Sequence, residues 1–95
     1  MQETIKANRV AQIKREAAER INDICPAWKQ SNLTARANEL NAIRFYRELT
    51  GDEQDEWDGM IHIWSIVNQI RIDSNIAESA VNALQTIEEI EQFSW

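Results

Sequence analysis

The residues whose chemistry could matter are few and clustered. Asp52, Glu53, Asp55, Glu56 and Asp58 stand just ahead of the single histidine, His62. Such a run of carboxylates invites a metal. A calcium loop opening at Asp52 would need glycine at its sixth position for the turn and glutamate at its twelfth as a bidentate ligand. Those positions hold Trp57 and Ile63. His62 has Ile66 one turn further on, so no second nitrogen or sulfur ligand shares its face, and zinc is not supported. The acids fit a helix start, where the macrodipole favours negative charge. Cys25 is the only thiol, which rules out an internal disulfide. Beside a helix boundary it reads as a small buried apolar residue, and His62 reads as a core-edge residue. A Gly-rich phosphate loop and a nucleophile elbow are both missing. The chain is expected to be no enzyme, with no metal and no cofactor.

Charge gives the next clue. The net charge is −6, but it is unevenly spread. Residues 1–50 carry Lys6, Arg9, Lys14, Arg15, Arg20, Lys29, Arg36, Arg44 and Arg47 and are basic on balance. Beyond residue 50 Arg71 alone faces ten acids. In an antiparallel fold these halves attract each other; between chains they could drive head-to-tail assembly. The acidic total argues against nucleic acid, whose binding needs phosphate neutralisation. The basic face of the first helix (Lys6, Arg9, Lys14, Arg15 and Arg20) is interrupted by Glu16, Glu19 and Asp23, as on a solvated helix with i,i+4 pairs.

The elements that must position these groups are helices. Two Gly and one Pro in 95 residues leave few turns. Ile5, Val10, Ile13, Ala17, Ile21 and Ile24 recur at three- and four-residue steps, predicting a helix over 3–24. Its stripe is narrow and alanine-rich, close to a coiled-coil seam. Pro26 ends that helix near Ile24 and suits the start of another, predicted over 27–50 with Gly51 as its stop. Ala42, Phe45, Tyr46 and Leu49 would widen its apolar face. Thr50 and Glu53 match the capping-box pattern ahead of a helix over 52–73, the most apolar stretch. Asp73-Ser74-Asn75 reads as a break, and a fourth helix is predicted over 75–92, with a further break near Gln85. Phe93 and Trp95 are expected to dock.

Cys25-Pro26-Ala27-Trp28-Lys29-Gln30-Ser31-Asn32, then Arg36-Ala37-Asn38-Glu39-Leu40, then Trp64 and Ile70-Arg71-Ile72-Asp73-Ser74-Asn75, resemble the C-terminal helical domain of small phage and prophage proteins encoded among tail and tail-assembly genes. The resemblance covers about residues 10–90. It departs at Cys25, where an aromatic often precedes the proline, and at Ile76-Ala77-Glu78, where Leu-Glu commonly follows the asparagine. It implies a tail structural or tail-assembly role. Such proteins often carry another domain ahead of this one, so the chain reads as a stand-alone relative or as a piece of a longer protein.

These observations predict an all-α fold, a single domain over 1–95. It is expected to be an antiparallel four-helix bundle, with a short fifth helix if the last one breaks. The expected core is Leu40, Met60, Ile63, Trp64, Val67, Ile70, Ala80 and Leu84, with Trp28 capping a corner. The expected function is protein–protein assembly with a second copy or a phage tail protein. The seam Val10, Ile13, Ala17, Ile21 and Ile24, and Trp57 among the acids, are the interface candidates. The alternative is a small regulatory module, binding nucleic acid through the basic first helix or a basic host protein through the acidic start of the third. With no run of ~18 apolar residues there is no membrane span. With no apolar leader the expected location is the host cytoplasm, or the virion.

Overall fold

A computed structural model describes residues 2–95. Among them, all regular structure is helical: α1 (Gln2–Ile24), α2 (Ala27–Arg44), α3 (Gly51–Ala83) and α4 (Ile87–Gln92). Pro26 has φ −58° and ψ 158° and stands just before α2. The chain turns there because proline offers no N–H to continue α1. Gln30 Nε2 donates to the Cys25 carbonyl at 2.7 Å, tying the corner down, and Cys25 is buried beneath it.

α1 and α2 lie one after the other along a single partner, α3. Lys6 Nζ donates to the Asn82 carbonyl at 3.0 Å. Further along, Arg36 pairs with Glu56 at 2.8 Å and Arg47 with Glu53 at 2.6 Å. Positions climb in one arm as they fall in the other, so the arms are antiparallel. The basic first half thus meets the acidic second half within the chain. α4 folds back on α1.

The helices do not gather around one core as a compact bundle would. The molecule measures 60 × 21 × 17 Å, with a radius of gyration of 18.8 Å. A compact domain of this length would have about 12 Å. It is a long helical hairpin, thickened at one end by α4 and the C-terminal residues.

Two predicted boundaries move for identifiable reasons. Asp73-Ser74-Asn75 does not break the third helix, which runs on to Ala83. Met60, Val67, Ser74 and Val81 are all buried and recur every seven residues, the spacing of a supercoiled seam. Ser74 is small enough to sit in that seam. Asp73 lies on an exposed face and accepts from Gln69 Nε2 at 2.9 Å. The predicted fourth helix over 75–92 is therefore the end of α3 plus the short α4. The break near Gln85 does occur, and Thr86 caps the restart by accepting from the Glu89 N–H at 3.1 Å. The second helix ends at Arg44, not Thr50. Thr50 must leave helical geometry to accept from the Glu53 N–H at 3.2 Å while its own N–H donates to Glu53 Oε1 at 2.9 Å. Gly51 has no positive φ; it opens α3 and does not stop α2.

The core is displaced accordingly. Ile13, Ala77, Val81 and Ile90 form the buried cluster at the thick end, with Ile5, Val10, Leu84, Phe93 and Trp95 packed around it. Of the core predicted from sequence, Leu40, Met60 and Val67 are buried, whereas Ile63, Trp64, Ile70, Ala80 and Leu84 are half-buried. Two helices side by side cover only the facing stripe of each. Phe45 and Tyr46 fall in the turn after α2 and are 88% and 90% exposed, and Trp28 is 67% exposed. None of the three reaches a core.

Candidate functional site

The seam of α1 is occupied by its own chain. Ile13 and Ala17 are buried, and Val10, Ile21 and Ile24 are half-buried. Ile13 packs with Ala77 and Val81 of α3 and Ile90 of α4. These residues are no free surface for a partner. Trp57 is not the exposed anchor expected: it is half-buried, with the Arg44 guanidinium 4.2 Å above its ring, a cation–π contact that α2 makes as it passes.

The charged clusters are likewise engaged internally. Lys6 is held on α3. Arg9 donates to the Phe93 carbonyl and approaches Glu16 at 3.8 Å. Arg20 stacks 3.9 Å over the Trp95 ring, whose Nε1 donates to Glu16 Oε2 at 2.7 Å. This latch fixes the C-terminal aromatics on α1 and leaves Lys14 and Arg15 as the outward cations of that face. Among the acids, Glu56 is taken by Arg36 and Glu53 by Arg47.

Glu53 carries the largest electrostatic perturbation. The hydrogen-bonded Arg47 guanidinium, then the Thr50 backbone N–H, lower its carboxyl pKa from an ordinary 4.5 to about 2. A carboxyl depressed by folding stabilises the native state above its unfolded pKa, and that contribution fades as pH falls toward the native one. Thermal melts of the wild type and Glu53→Gln should therefore differ above about pH 4.5, and the difference should shrink toward pH 2. A gap that stayed constant across that window would contradict the assignment.

Cys25 is buried at the corner, while His62 is exposed, on the side of α3 away from the seam, so the two form no dyad. The exposure of His62 also corrects its reading as a core-edge residue. Among the described residues no group of His, Cys, Asp and Glu could hold a metal ion, and no helix is long and apolar enough to cross a membrane. A cleft of about 560 Å³ lies where α1 meets α4 and is lined by Arg9, Arg15 and Glu91 among others, without a nucleophile.

The remaining candidate is an apolar groove at the thin end. It measures about 270 Å³ and is lined by Leu33 and Arg36 of α2 and Glu56, Gly59, Met60 and Ile63 of α3. Along α3 the steps of three and four residues continue from Gly59 and Ile63 to Ile66, Ile70, Asp73, Ala77 and Ala80. The far half of this stripe, Asp73, Ala77 and Ala80, borders a second groove of about 340 Å³ with Phe93 and Trp95 on its other side. In the near half Ile63, Ile66 and Ile70 are half-buried. Sequence reasoning placed Ile63 and Ile70 in the core and missed the groove. Compared with protein-family models, curated proteins and solved structures, the chain matches none.

Proposed function

We propose that this protein is a non-enzymatic assembly component that works by helix packing, as a structural or assembly part of a phage or prophage tail. The observation that carries the first half is the elongated hairpin, 60 × 21 × 17 Å, with an apolar groove between α2 and α3 at its thin end. The tail assignment is supported by the resemblance of Cys25–Asn32, Arg36–Leu40 and Ile70–Asn75 to the helical domains of tail-associated proteins. A strut of this shape has a use in an assembly that a compact domain does not: it offers a long face for parallel or antiparallel packing. On this reading the bundle arrangement belongs to the assembled form, and the protein acts in the host cytoplasm or in the virion. The nucleic-acid alternative is weakened because Lys6, Arg9 and Arg20 are committed inside the chain. The basic-host-protein alternative loses Glu53 and Glu56 in the same way. The test is affinity capture by the tagged chain from cells producing the phage. Recovery of a virion or tail-assembly protein is expected. Recovery of none, at low and at high salt, would overturn the tail role.

A further inference from the structure

We infer that the outer face of α3 is where a second copy of this chain packs, parallel and in register, so that two hairpins stand back to back. This deepens the assembly reading and rests on it. Ile61, Ser65, Asn68, Ile72, Ile76 and Ser79 follow one another along α3 at steps of three and four residues, and none is charged. Eleven residues separate Ile61 from Ile72, Ser65 from Ile76 and Asn68 from Ser79, a repeat so close to the helical period that the line runs almost straight. Ile72 and Ile76 each stand two residues from the buried Ser74, about 200° around the helix. The line therefore faces away from the seam that α1 and α2 fill. All six residues are exposed, and Ile61, Ile72 and Ile76 are 50%, 51% and 63% so.

Charge names the occupant. Arg71 is the one cation beyond residue 50. It donates to Asn68 Oδ1 at 3.3 Å, and among the described residues neither it nor Asp73 has an oppositely charged group within 4 Å. The two flank Ile72, about 100° to either side, and residues two apart on a helix do not face each other, so a chain cannot pair its own. In a parallel copy across a two-fold axis, each Arg71 comes beside the partner's Asp73, and both pairs close at once. The Asn68 side chains of the two copies then face each other, a polar pair that holds register. An antiparallel copy centred on Ile72 would instead set Arg71 against Arg71.

Light scattering after size exclusion, from about 1 µM to about 1 mM chain, is expected to give wild-type masses rising toward twice 11.1 kDa. Ile72→Glu should stay at the single-chain mass with unchanged helical circular dichroism. Reversing the charges is the sharper test. Arg71→Glu places an acid beside the partner's Asp73, and Asp73→Arg places a cation beside the partner's Arg71. Each variant alone should pair about tenfold or more weakly than the wild type at low salt. Mixed one to one, the two variants complement each other at both contacts and should regain the wild-type midpoint. Both positions are exposed, so if Ile72→Glu fails to fold the reversals still decide. A wild type that remains single up to about 1 mM, a dimer that survives Ile72→Glu, reversals that pair as well as the wild type, or a mixture that does not recover would each overturn the inference. A single-chain wild type that still captures a tail component would overturn the pairing alone; a dimer that captures none would overturn the tail role alone.

Discussion

Replacing Ile13 with alanine should cost about 2–5 kcal/mol, the range for truncating a fully buried aliphatic side chain. Ile13 has no exposed surface and is the one α1 member of the cluster with Ala77, Val81 and Ile90. Removing its outer carbons opens a void where α1, α3 and α4 meet. Ala77 and Val81, the buried α3 members of the cluster, are short side chains that cannot swing in to refill it. A domain of this length has roughly 5–14 kcal/mol to lose. Urea titrations of the two proteins, followed by circular dichroism, measure the difference. It should be the same at every chain concentration, because Ile13 packs within its own chain. A cost that vanished on dilution would put the α1 seam between chains instead.

The second large effect concerns Ile76. It lies inside α3 and is 63% exposed, so its side chain contributes little to packing. Proline there would remove the bond from the residue 76 N–H to the carbonyl one turn back and push its ring into that carbonyl. The cost should be about 3 kcal/mol or more. If a helix began instead at Asn75, Ile76 would occupy its first turn, where proline is tolerated or favoured. Ile76→Pro thus separates the two geometries cleanly: a strong loss of thermal stability follows from the continuous helix, and near-neutral behaviour from the broken one.

Helical content was legible because apolar spacing, the Pro26 corner and the Thr50–Glu53 cap are all local signals. The charge asymmetry between the halves was legible too, but not whether it acts within one chain or between chains; within the chain it appears as the Arg36–Glu56 and Arg47–Glu53 pairs. What misled was the weight given to polar residues as breaks. Asp73, Ser74 and Asn75 favour turns in isolation, yet the seven-residue line through Ser74 carries the helix across them. Once α3 runs through, the chain cannot fold into four equal antiparallel segments, and α1 and α2 must share one partner. That single change moves the core to Ile13, Ala77, Val81 and Ile90, consumes the α1 seam, and exposes Trp28. It also leaves Ile63, Ile66 and Ile70 half-buried and not central. Tertiary length matching decides this, and no local signal in the sequence carries it.

The central claim is the unbroken spine of α3, and one distance tests it most directly. Spin labels placed through Asp52→Cys and Ala83→Cys, both exposed positions, in a Cys25→Ala background and diluted with unlabelled chain, report the distance between the ends of α3 by pulsed electron resonance. A continuous helix between them predicts about 47 Å at ~1.5 Å per residue. A chain that reverses at Asp73–Asn75 would bring the labels to about 20 Å by the same rise, and a dominant population there would contradict the hairpin.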